Sequence, residues 1–97
     1  MITQNDYGSF ETSEIADGTT VKLSDLFRAV RLAAASGVQR PGQAIMNIAS
    51  VIGLPGACRG PWPKLWSMTG FAESFTGFFT RYDVDDRGWV IPNGVDL

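Results

Sequence analysis

Residues 41–52 constrain this fold more than any other stretch. Ala44, Ile45, Ile48, Ala49 and Ile52 recur at helical spacing, and Met46 and Val51 widen the apolar face. Only Gln43, Asn47 and Ser50, at i, i+4 and i+7, leave a polar stripe. A helix apolar around so much of its circumference must be covered on most sides, which places it at the centre of its domain. Pro41 suits a first helical turn, where a missing N–H costs nothing, and Gly53 with Pro55 beyond it closes the helix. The rest of the chain has to wrap this element.

Two further helices follow from the pattern. Ser24 as N-cap, Asp25 near the positive helix end, and Leu26, Phe27, Val30, Ala33 and Ala34 predict a helix over 24–36, with Gly37 as the left-handed residue after it. Phe71, Phe75, Phe78 and Tyr82, broadened by Phe79, predict a helix over 70–82 whose aromatic seam is core. Gly77 inside it, about 1 kcal/mol worse than alanine in a helix, marks the close approach of another backbone or a weak point. Residues 53–63 hold three glycines and three prolines and read as a loop, with Pro63 opening a short turn through Lys64, Leu65 and Trp66.

The ends are short β or turn elements. Asp17-Gly18 predicts a two-residue hairpin turn that pairs Ile15 with Thr20 and Glu14 with Val21, leaving the two apolar residues on opposite faces. Asp85-Asp86-Arg87-Gly88 predicts a turn into a strand, Trp89-Val90-Ile91, that Pro92 stops. At 97 residues and 44% hydrophobic, the chain fits a single small globular domain over 1–97. Such a domain collapses to a radius of gyration of roughly 13 Å. The expected fold is α+β and mostly helical: a three-helix core around the 41–52 helix, with short β or turn elements at both ends.

Charge is sorted along the chain. Residues 1–21 carry Asp6, Glu11, Glu14 and Asp17 and no base, a net of −4. Residues 22–64 carry six bases against Asp25 alone, a net of +5, and residues 65–97 return to −3. The total of −2 therefore hides a basic centre between acidic ends. Such asymmetry bears on partners and association rather than on fold.

Several function classes lose their usual equipment. With no histidine and a single cysteine, Cys58, the chain has no Cys–His nucleophile pair and no usual zinc ligand set. No glycine-rich loop ends in Gly-Lys-Ser/Thr, and the acids fall in turns and termini where solvent keeps them ordinary. The chain reads as non-enzymatic and without a cofactor. One cysteine allows no internal disulfide, residues 1–6 lack the pattern of a signal peptide, and no run approaches about 20 apolar residues. A cytoplasmic protein without a membrane partner is expected.

Two segments resemble known motifs. An aromatic helix leading into Asp83 and Asp85, with Gly88 at the sharp turn and Val90 after it, resembles the first half of an EF-hand calcium loop. Arg87 then stands where a ligand oxygen belongs, and Gly94 where the closing glutamate does, so a turn whose aspartates cap local amides, with Arg87 pairing one of them, is the preferred reading. Leu32-Ala33, Gly37-Val38, Ile45 and Ile48 resemble a helix-turn-helix, with Gln43, Asn47 and Ser50 able to read base edges. The apolar positions of its second helix fall two residues late, Pro41-Gly42 lengthens the turn, and that helix has no Arg or Lys.

The remaining signal is the pairing of bases with tryptophans. Arg59, Trp62, Lys64 and Trp66 cluster in and after the loop, and tryptophan and arginine are the residues most enriched at interface hot spots. One ring is expected in the core and the other at least partly exposed. The reading is a non-catalytic regulatory protein. Arg28, Arg31, Arg40, Arg59 and Lys64 would present a basic face to an acidic protein surface, with Trp62 or Trp66 as the anchor. In general character such a chain is similar to virus-encoded accessory proteins that modulate a host protein. The alternatives are a DNA-binding regulator using the same arginines, and an assembly or virion subunit whose acidic ends meet a neighbour's basic centre.

Overall fold

A computed structural model describes residues 10–15, 18–55, 57 and 63–93. In chain order these form strands β1 (Thr12–Ile15) and β2 (Gly18–Val21), helices α1 (Leu23–Ala35), α2 (Pro41–Ile52), α3 (Pro63–Ser67) and α4 (Phe71–Phe78), and strands β3 (Tyr82–Val84) and β4 (Val90–Pro92). The described residues thus make an α+β fold of four helices and two small antiparallel sheets. The radius of gyration is 12.2 Å.

Helix α2 spans the residues expected and contacts each of the other three helices. It buries Gly42, Ala44, Ile45, Ile48 and Ala49, and Gly53, at φ 77°, ends it in the left-handed conformation. Of the two roles expected for Gly77, a close backbone approach or a weak point, the close approach is found instead at Gly42. A Cβ there would stand 1.8 Å from the Leu65 carbonyl oxygen, and the Gly42 N–H donates to the Met68 carbonyl at 3.2 Å. Gly77 faces only the side chains of Leu65 and Met68. Glycine on α2 therefore seats α3, the short helix that the sequence showed only as a turn.

Helix α1 begins earlier than its side-chain signals imply. Ser24 is exposed and does not cap it. The first-turn donor of Leu23 is met by the Gly88 carbonyl at 2.9 Å, and the Asp25 carboxylate accepts the Glu11 N–H at 3.1 Å. Gly37, at φ 74°, donates back to the Ala34 carbonyl as a left-handed residue after the helix.

Helix α4 ends at Phe78, four residues short of the predicted end. The Thr80 hydroxyl donates to the Gly77 carbonyl at 2.7 Å, and Asn93 clamps the next carbonyls, its side chain on Thr80 O and its N–H on Arg81 O, both at 3.0 Å. Those bonds turn the chain into β3, so Tyr82 is a strand residue. It still belongs to the aromatic seam, which is core only in part: Phe71 is half-buried and Phe79, expected in the core, is exposed at the end of the helix. Phe75, Phe78 and Tyr82 are buried, Tyr82 stacks on Phe78 at 4.7 Å, and its phenol donates to the Pro55 carbonyl at 2.6 Å. That last bond ties the loop after α2 to the core.

The first hairpin forms in another register. Thr12 pairs with Val21, Ser13 with Thr20, Glu14 with Thr19 and Ile15 with Gly18, so Gly18 lies in the ladder rather than the turn; Asp17 lies outside the described residues. Gly18 has φ 140° and a Cβ there would stand 3.2 Å from the Gly53 carbonyl oxygen, a place that only glycine suits. The neighbouring hydroxyls hold this register, Thr19 donating to the Ile52 carbonyl and buried Thr20 to the Val90 carbonyl. Ile15 and Val21 do fall on opposite faces, with Val21 in the core.

In the second hairpin Asp83 pairs with Ile91 and Val84 with Val90. Asp85 Oδ1 accepts the N–H groups of Arg87 and Trp89, both at 2.9 Å, while Gly88 takes φ 88°. This is the amide-capping turn, with Arg87 engaged through its backbone rather than through its side chain. A bridge between Lys22 and Trp89 joins the two hairpins.

Candidate partner-binding face

The geometry of the basic residues starts from the seat of α3 on α2. With Leu65 buried against the core, its neighbours Lys64 and Trp66 are exposed, Trp66 by 39%. Arg40, the residue before α2, reaches over Trp66. Its guanidinium carbon lies 5.9 Å from the Trp66 ring centroid, and its Nε donates to the Trp66 carbonyl at 3.1 Å. Cation and ring are thereby held together by a stacking contact and a hydrogen bond to the same residue.

A second cation–aromatic pair stands at the other end of the 66–71 segment. Arg31 of α1 lies over Phe71 at 5.2 Å, and Phe71 packs on Phe27 and Phe75 at 5.8 and 5.0 Å. Arg28, one turn earlier on α1, keeps its side chain 60% exposed and stands 3.9 Å from Asp25. The Asp25 side chain is only 12% exposed, but at that length and with the arginine largely in solvent the pair contributes little. Lys22 is engaged elsewhere, 3.0 Å from Glu11 and over the Trp89 ring.

Among the described residues, no ion pair reaches Arg31, Arg40 or Lys64. Arg59 and Trp62 lie outside the described residues, as does Cys58. Trp66 is partly exposed, and the expectation of a core partner ring falls on Trp62, outside the described residues. Phe71 was read only as core, and its role under Arg31 had no local signal, because the two residues are forty positions apart.

The polar stripe of α2 turns partly inward. Gln43 Oε1 accepts the Arg40 N–H at 3.4 Å, and Asn47 donates to Gln39 Oε1 at 3.1 Å. Among the described residues, no group of three or more metal-ligating side chains could hold an ion, and no helix is long and apolar enough to cross a membrane. Comparison with known protein families, curated proteins and solved structures finds no match to this chain.

Proposed function

We propose that this chain is a non-catalytic regulatory protein of the cytoplasm that docks on an acidic surface of a partner protein. Arg31, Arg40 and Lys64 supply the charge and Trp66 the apolar anchor. Arg28 lies one turn from Arg31 on α1 and adds to that charge; Arg59 and Trp62, expected on the same face, lie outside the described residues. The observation that carries this reading is the Arg40–Trp66 pair, a cation fixed over an exposed indole and, among the described residues, without a carboxylate of its own. Preorganised pairs of this kind lose little side-chain freedom on docking. Charges of the right sign raise encounter rate and specificity, whereas the buried aromatic supplies the holding energy. A compositional likeness to virus-encoded accessory proteins is in keeping with that role.

A DNA-reading role draws less support. The helix that would enter a groove is α2, which three other helices cover, and two of its three polar residues are engaged in local hydrogen bonds.

The test is capture from a nuclease-treated lysate of the source cells on immobilised protein. Trp66→Ala, and separately the Arg31→Glu, Arg40→Glu, Lys64→Glu triple variant, should each reduce recovery of the captured protein by at least about tenfold. Glu73→Gln, an exposed acid, should leave it unchanged. Equal recovery by all of these proteins would refute the assignment.

A further inference from the structure

The two hairpins enclose an open cleft of about 490 Å³ that the docking face does not use. Half-buried Ile15, Trp89 and Ile91 give it an apolar lining, and Asp85, Asp86 and Arg87 line it as well. Its volume falls among those of ordinary binding clefts. Asp83, exposed and paired across β3–β4 with Ile91, shares that residue's face of the hairpin just outside the lining. The lining carries two carboxylates, Asp85 (its Oδ1 held by turn amides) and Asp86, against the single charge of Arg87. The cleft therefore suits a segment that is aliphatic and cationic together.

Helix α1 carries such a segment. Arg28 and Leu32 are neighbours at i and i+4, with the Arg28 side chain 60% and Leu32 47% exposed. We propose that the cleft receives the Arg28–Leu32 ridge of a second copy of this chain. Leu32 meets Ile15, Trp89 and Ile91, while Arg28 exchanges its long contact with Asp25 for Asp83 and Asp86. The match is double, apolar on apolar and base on acid. The two surfaces are different parts of the chain, so the contact is head-to-tail and propagates from copy to copy unless its rotation closes a ring. Of the docking residues it shares Arg28 alone and uses none of Arg31, Arg40, Lys64 or Trp66, so either reading can fail while the other stands.

Sedimentation velocity on the whole chain tests this at about 0.05 M and about 0.5 M salt, where screening differs several-fold. Wild-type protein should grow in mean mass with concentration at low salt and recede toward monomer at high salt. The Arg28→Glu, Leu32→Ser variant and the Asp83→Lys, Asp86→Lys variant, each altered at one surface, should self-associate at least about tenfold more weakly. Mixed in equal amounts they should form a one-to-one dimer and nothing larger, because each retains the surface the other lacks. Trp66→Ala should associate as wild type does. Wild-type protein that stays monomeric, variants that associate undiminished, a mixture without dimer, or association lost in Trp66→Ala would each overturn the proposal.

Discussion

Replacing Gly42 with alanine is expected to unseat α3 and destabilise the domain by about 3 kcal/mol, the upper end of the cost of forcing a methyl group into packed structure. The added carbon would stand 1.8 Å from a backbone oxygen, that of Leu65, and no rotation of a side chain can relieve it. The Gly42 N–H to Met68 bond would go with it. For a domain of this size the melting temperature should fall by roughly 10–20 °C. Gly77→Ala is the matched control: its new carbon would meet only flexible atoms of Leu65 and Met68 at 3.4 Å, so its effect should stay within about 1 kcal/mol. Because α3 carries Lys64 and Trp66, Gly42→Ala should also weaken partner capture, linking stability to function. Equal melting temperatures for the two variants would show that α3 is not held this way.

Phe78→Ala should be the most damaging truncation in the aromatic seam. The ring is fully buried, stacks on Tyr82 at 4.7 Å and touches Phe75 at 5.9 Å. Losing it removes buried area and leaves a cavity, at about 3–5 kcal/mol. A small domain has only about 5–15 kcal/mol in total, so the variant should be marginal at room temperature. Urea unfolding would measure the loss directly. Phe79→Ala, at a ring 37% exposed one position along, should cost about 1 kcal/mol. Similar losses at the two positions would contradict the assignment of Phe78 rather than Phe79 to the core.

What the sequence made legible follows from periodicity, and what it hid follows from contacts between distant residues. Helix α2 was readable because its apolar face, its proline and its closing glycine are all local. The aromatic seam was readable for the same reason, even though Tyr82 reaches it from a strand. The end of α4 was not, since it depends on Asn93 bonding to Thr80 and Arg81. Nor was the register of the first hairpin, which Thr19 and Thr20 set through carbonyls at Ile52 and Val90. A five-residue helix such as α3 is too short for periodicity to reveal, and its position rests on one glycine. Charge counting marked a basic centre along the chain but not its geometry: Lys22 is drawn away to Glu11 and Trp89, while Arg81, one of the two bases in the −3 of residues 65–97, is buried.

The central claim is that Arg31, Arg40, Lys64 and Trp66 act as one recognition surface. Its most direct test is an NMR titration of isotope-labelled protein with a short acidic peptide containing leucine and phenylalanine. Shifts should concentrate on the Trp66 indole, the side-chain Nε groups of Arg31 and Arg40 and the amides of residues 63–71, and should vanish in Trp66→Ala. Shifts centred instead on Lys22 and the two hairpins, or none at these cations, would contradict the account.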